Sequence, residues 1–165
     1  DLFGTIMLLV AGVGYAKPVR VNMHNLKNGR KSFALVAIAG PVSNLIMALI
    51  FTLCKTIISV IYVNTSAPDM FYIVFGSFFS FAASINITLA VFNLLPIPPL
   101  DGSKIANLIL PAKYYYTILK YERYIMIGLL ILLATDIIVK PLSMVSGFVM
   151  GVLQIITSLP FNFLM

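Results

Sequence analysis

The residues with most chemistry in them occupy one stretch, Asn93 to Gly102, which reads NLLPIPPLDG. Pro96, Pro98 and Pro99 each remove a backbone donor and bias the preceding residue towards an extended conformation. The helical pattern that fills Met70 to Leu95 therefore ends there, and it resumes at Lys104 with Asp101 left at the joint. Gly102 permits backbone geometry that other residues resist. A carboxylate at a helix junction in apolar surroundings is costly unless it is paired, hydrated or bound to a cation. Two readings follow. Asp101 caps a helix beginning near Ser103, or it supplies a hard oxygen ligand to a metal, as carboxylates do in mixed histidine and carboxylate zinc sites. Its nearest charged neighbour in sequence is Lys104.

Other groups able to do chemistry are few. His24 is the only histidine and lies in a basic loop, and Glu122 is the only glutamate. Cys54 is alone, so no intrachain disulfide forms, and the chain has no zinc-finger spacing. Two amides fall on stripes of small residues at helical spacing. Asn44 continues Ala34, Ala37, Pro41 and Ala48, and Asn93 continues Ala82, Asn86 and Ala90. Small residues let helix backbones approach closely, with the amides turned into the bundle either as interhelical glue or as part of a site.

These groups are carried by a chain with the character of an all-α integral membrane protein. With 61% hydrophobic and 10% charged residues over 165 positions, the composition lies outside the soluble globular range. The net charge of +6 raises the question of nucleic acid. Lysines and arginines that sit between apolar runs, rather than on one basic face, answer it in favour of membrane flanks and against nucleic acid.

In chain order, Leu2 to Ala16 is apolar but short for a span, and Lys17 to Lys31 is a basic connection in which VRV around Arg20 suggests a strand edge. Phe33 to Val63 is long enough to cross, with a kink or late start expected at Gly40 and Pro41. Asn64 to Asp69 is a turn without lysine or arginine, and Met70 to Leu95 returns. Tyr124 to Val139 is a third strong apolar run, closed by Lys140 and Pro141, and Leu142 to Met165 either spans again or lies along the surface. The expectation is a multi-pass bundle of about three to five membrane helices, broken at NLLPIPPLDG. The alternation of basic, bare and basic connections places residues 17–32 and 103–123 on the cytoplasmic side. Broken backbone at or near membrane depth is tolerated only where protein or a watery cavity satisfies it, so the break is expected to line something.

These residues resemble a known family. NLLPIPPLDG at Asn93 to Gly102 is similar to the third-ligand motif of the site-2 proteases, the intramembrane zinc metalloproteases. AGPVSN at Ala39 to Asn44 is similar to that family's AGPxxN element. AKPV at Ala16 to Val19 resembles the loop before it in many prokaryotic members, and Asp1 to Thr5 resembles a DxxGT opening. The resemblance implies that Asp101 is an aspartate zinc ligand and Gly102 the glycine that follows it. It also implies that Asn93 and Pro96 shape the active-site end of their helix, and that Asn44 sits near the metal and supports substrate or transition-state binding. The implied cofactor is Zn2+. The implied activity is hydrolysis of peptide bonds in a membrane-spanning substrate, a single-span protein such as a membrane-bound regulator, in a prokaryotic cell membrane.

The chain departs from the family in one respect. The family carries HExxH on a helix, two histidines binding zinc and the glutamate between them acting as base, whereas here His24 precedes Asn25 and Glu122 has no histidine beside it. In the family that helix precedes the segment matched by Asp1 to Thr5. The expectation is accordingly one membrane-embedded domain over residues 1–165, incomplete at its N-terminus. Such a fragment holds one of three zinc ligands and no catalytic residue beyond the supporting Asn44 and Asn93, and is inactive alone. Two other readings stay open: an inactive relative that binds or scaffolds, and a transporter subunit, since broken helices also mark transporter sites.

Overall fold

A computed structural model describes residues 29–65 and 68–161. The run Leu2 to Ala16, the basic connection up to residue 28 with its VRV segment and His24, and the DxxGT and AKPV motifs lie outside the described residues. Among the described residues all regular structure is helical. Helix α1 covers Gly29–Asn64 and α2 Asp69–Asn93. Short helices α3 (Asp101–Ala106), α4 (Ala112–Lys120) and α5 (Glu122–Leu133) follow. Helix α6, Asp136–Ser158, runs into a 3-10 turn at Leu159–Phe161. Three segments, Ser32–Asn64, Asp69–Asn93 and Asp136–Phe161, are long and apolar enough to cross a membrane, within the range expected from sequence.

Side-chain size is distributed as lipid demands. Phe81 is 69% exposed and Phe148 73%, while Ala48 and Ala90 are at 0%. Large apolar side chains gain nothing by leaving lipid, so contacts between helices fall to the small residues that let backbones approach. On α1 the buried line is Ala34, Ala37, Pro41, Ala48, Thr52 and Thr56, which continues the small-residue stripe read from the sequence. It packs along α2. The helix begins at Gly29 and passes through Pro41, so there is no late start. The α2 stripe is shifted from the one expected: Gly76, Ala83, Ile87 and Ala90 are buried, while Ala82, Asn86 and Asn93 are half-buried. Asn86 spends its amide at home, donating Nδ2–H to the Ala82 carbonyl at 2.8 Å. At the far end of the pair, Tyr62 stacks on Tyr72 at 4.8 Å and donates its hydroxyl to Asp69 Oδ1 at 2.6 Å.

The third span is displaced from its expected position. The apolar run Tyr124 to Val139 is divided at Ala134 and Thr135, and α6 passes through Lys140 and Pro141 instead of stopping there. Asp136 opens the helix in its first turn, where an anion is favoured by the helix dipole, and Lys140 pairs with it at 3.7 Å. The charges mark the beginning of a span and not its end. Helix α5, at 12 residues, rises only about 18 Å and is too short to cross. Helix α6 packs against both α1 and α2, and the Thr56 and Thr157 hydroxyls meet at 3.3 Å between α1 and α6.

Candidate metal-binding site at the break

The last regular turn of α2 ends at Asn93, and the Leu94 N–H still reaches the Ala90 carbonyl at 3.1 Å. Prolines then leave few donors, and those that remain are used locally. Ile97 N–H bonds the Leu95 carbonyl at 2.8 Å, and Leu100 N–H bonds the Ile97 carbonyl at 2.9 Å around a cis Pro98–Pro99 peptide. That second bond closes a turn with cis-proline at its third position. Ser103 returns both its N–H and its hydroxyl to the Leu100 carbonyl, at 3.1 and 2.8 Å. A stretch that cannot be a helix is thus held by four short bonds of its own.

Helix α3 begins at Asp101 and not at Lys104. Its N-cap is Leu100, without a side-chain cap bond, so Asp101 is the first helical residue and the capping reading falls. The carboxylate does two other things. Oδ1 accepts from Lys104 Nζ at 2.6 Å, and Oδ2 lies against α1 at Gly40, where a Cβ would stand 3.3 Å from it. Lys104 in turn sits 6.0 Å over the Phe33 ring. Gly102 is buried, and a Cβ there would overlap the carbonyl oxygens of Leu94 and Leu95. The glycine is required for space, since α3 rests directly on the end of α2, and not for an unusual φ. Sequence alone offered Gly102 as a permissive joint. The close approach of two backbones was not visible in it.

AGPVSN on α1 and NLLPIPPLDG after α2 therefore meet in space, Gly40 against Asp101. Asn44 lies one turn beyond Gly40 on the same face of α1. It is half-buried, as is Asn93 at the end of α2, and neither amide has a hydrogen-bond partner among the described residues. Glu122 lies elsewhere, in a cleft with Leu119, Lys120, Arg123, Tyr124 and Met126. Gly40 and Phe33 as neighbours of the carboxylate and its ammonium were not singled out in the sequence. The glycine of AGPVSN was the available signal for the first.

Among the described residues no three histidine, cysteine or acidic side chains gather, so Asp101 is there a single candidate donor and not a metal site by itself. As that donor it fits zinc. It is a hard oxygen ligand, one of its oxygens faces a position without a Cβ, and the other is held only by a partly exposed ammonium, the side chains of Lys104 and Asp101 being 36% and 30% exposed.

Residues 54–135 match the model of Peptidase family M50. The chain is 39% identical over 137 residues to YwhC of Bacillus subtilis, covering 83% of this chain and 62% of that protein. It is 33% identical over 104 residues to MJ0611 of Methanocaldococcus jannaschii, covering 63% and 49% respectively. Both relatives carry the name "Putative zinc metalloprotease", and this chain spans about half to three-fifths of their length. No solved structure matches it. With the proline-rich break and AGPVSN brought face to face, the chain belongs to peptidase family M50, the site-2 protease family.

Proposed function

We propose that the full-length protein is an intramembrane zinc metalloendopeptidase and that Asp101 is one of its zinc ligands. The observation that carries this reading is the meeting of Asp101 with Gly40, which joins two family motifs from separate helices at one carboxylate. A bound zinc would polarise the scissile carbonyl and make its water acidic near neutral pH. The chain's own contribution is positional. The Leu100–Ser103 turn and the Gly102 contact fix where the carboxylate begins. The amides of Asn44 and Asn93, unspent within the bundle, offer donors and acceptors to a substrate backbone opened from its helix. Hydrolysis in this reading requires that water reach the broken segment. The substrate in this reading is a single-span membrane protein, and the whole 165-residue chain is part of one membrane-embedded domain in a prokaryotic membrane. Lys104, Lys113, Lys120 and Arg123 follow the break, whereas the Asn64–Asp69 connection has no basic residue, which favours a cytoplasmic position for the site.

The test is cleavage of a single-span substrate by full-length protein in proteoliposomes. Asp101→Ala is expected to abolish it and Asn44→Ala to reduce it, with thermal unfolding unchanged in both. Cleavage by Asp101→Ala at the wild-type rate contradicts the assignment. The Lys104–Asp101 pair at 2.6 Å favours one other reading, a metal-free relative in which the ammonium takes the place of the cation. A full-length protein that purifies without zinc and binds none on titration would select it.

A further inference from the structure

A second polar place lies on the opposite half of the bundle. Lys55 interrupts the apolar run of α1 and lines a cleft of about 450 Å3 between α1 and α6, with Thr52, Thr56, Ser59, Gly151, Gln154, Ile155 and Ser158. That volume is within the range of small-ligand sites, roughly 300–1,000 Å3. Counted along α1, Lys55 stands 15 residues from Gly40, about 22 Å away at the helical rise. The cleft is therefore separate from the Asp101 site.

An ammonium in a spanning helix is expected either to find a partner or to reach the headgroup level, and among the described residues no counter-charge meets Lys55. Among the described residues Asp69 takes the Tyr62 hydroxyl, Asp101 holds Lys104, Asp136 pairs with Lys140, and Glu122 lies in the cleft of α4 and α5. Lys55 has no hydrogen bond or ion pair there. Its neighbours are poor substitutes, because their hydroxyl donors are already committed to backbone carbonyls: Thr52 to Ala48, Thr56 to Thr52, Ser59 to Lys55 and Ser158 to Ile155. The C-terminal end of α6 contributes about half an elementary negative charge, which leaves a net positive site. The uncommitted donors are the Lys55 ammonium and the Gln154 amide, one on each wall. Such a pair suits a ligand that is anionic and rich in acceptors.

Depth narrows the choice. Lys55 lies nine residues before Asn64, the end of α1, or about 13 Å along the axis. With Asn64 at the outer edge of the headgroups, which occupy about 5–7 Å on each side of the hydrocarbon core, the Lys55 backbone sits about 6–8 Å inside that core, a depth from which its long side chain extends to the headgroup boundary. The end of α6 at Ser158, in the same cleft, marks the same level. Gly151 and Ile155 give the cleft an apolar flank on the lipid side.

We propose that this cleft binds the phosphodiester of a phospholipid in the leaflet farther from Asp101. The Lys55 ammonium and Gln154 amide take the non-ester oxygens, and an acyl chain lies beside Gly151 and Ile155.

Full-length protein in mild detergent, titrated with phosphatidylglycerol and followed by native mass spectrometry, tests this. Wild type and Lys55→Arg retain one lipid, while Lys55→Met and, independently, Gln154→Leu bind it roughly tenfold or more weakly. Diacylglycerol with the same chains does not bind, and inorganic phosphate at equal concentration does not displace the lipid. Equal retention by Lys55→Met and wild type overturns the proposal, as does binding of diacylglycerol. Displacement by inorganic phosphate overturns it in favour of a free-anion site. A photo-crosslinker placed at Ile155 that captures peptide and no lipid assigns the cleft to a protein segment instead.

Discussion

Replacing Gly102 by alanine adds one methyl group where α3 rests on the end of α2. The new carbon would fall inside the van der Waals envelope of two backbone oxygens, those of Leu94 and Leu95. A carbon–oxygen contact relaxes to roughly 3.3–3.6 Å, so α3 and Asp101 with it must move off by on the order of 1 Å. Neither obstacle is the far end of a flexible side chain, and the turn is already fixed by the Leu100 and Ser103 bonds. Overpacking of this kind costs about 1–3 kcal/mol of stability, and a displacement of that size at a reacting centre costs about 100-fold in rate. The expected result for full-length Gly102→Ala in proteoliposomes is therefore a drop in turnover of about 100-fold with only a modest fall in unfolding temperature. Gly40→Ala is the matched control. Its added carbon would meet the movable Asp101 carboxylate at 3.3 Å, so the loss should be only several-fold. Turnover of Gly102→Ala within about twofold of wild type would mean that this contact does not position the carboxylate.

Three further outcomes follow from the packing. Lys104→Met removes the ammonium that competes for Asp101 Oδ1; a partly exposed pair is worth up to about 1 kcal/mol, so zinc affinity of the full-length protein, measured against a chelator, should rise by up to about fivefold. Ala48→Leu forces a large side chain into the fully buried α1–α2 contact and should cost about 1–3 kcal/mol in denaturant unfolding, whereas Ile46→Leu on the exposed face should be silent. Thr157→Val removes the hydroxyl pair between α1 and α6; interhelical bonds in membranes average about 0.6 kcal/mol with a maximum near 1.7, and the same unfolding assay should show a loss in that range.

Much of the fold could be read from residue types because lipid inverts the usual sorting. Small residues at spacings of three and four marked the buried line of α1 from Ala34 to Ala48, since no other feature distinguishes a helix contact from a lipid contact when every large side chain is apolar. The break after Asn93 was equally plain, because proline acts through covalent geometry that no environment overrides. Boundaries decided by three-dimensional context were less legible. Lys140 and Pro141 looked like terminators, yet backbone that leaves a helix in lipid has no water to turn to, and Asp136 supplied the better start signal. On α2 the contact line kept Ala90 but ran through Ala83 and Ile87 in place of Ala82 and Asn86, because Asn86 could satisfy its amide on its own helix. The Asp101 joint was found, but the reason for Gly102 depended on how closely two helix ends approach, which spacing does not encode.

If Asp101 carries metal, the purified full-length protein shows it in its zinc binding. Wild type should hold one zinc per chain by elemental analysis, and Asp101→Ala, compared by competition with a chelator, should bind it at least about 10- to 100-fold more weakly, the loss caused by removing even an outer-sphere partner. Zinc bound to Asp101→Ala at wild-type stoichiometry and affinity would contradict the assignment.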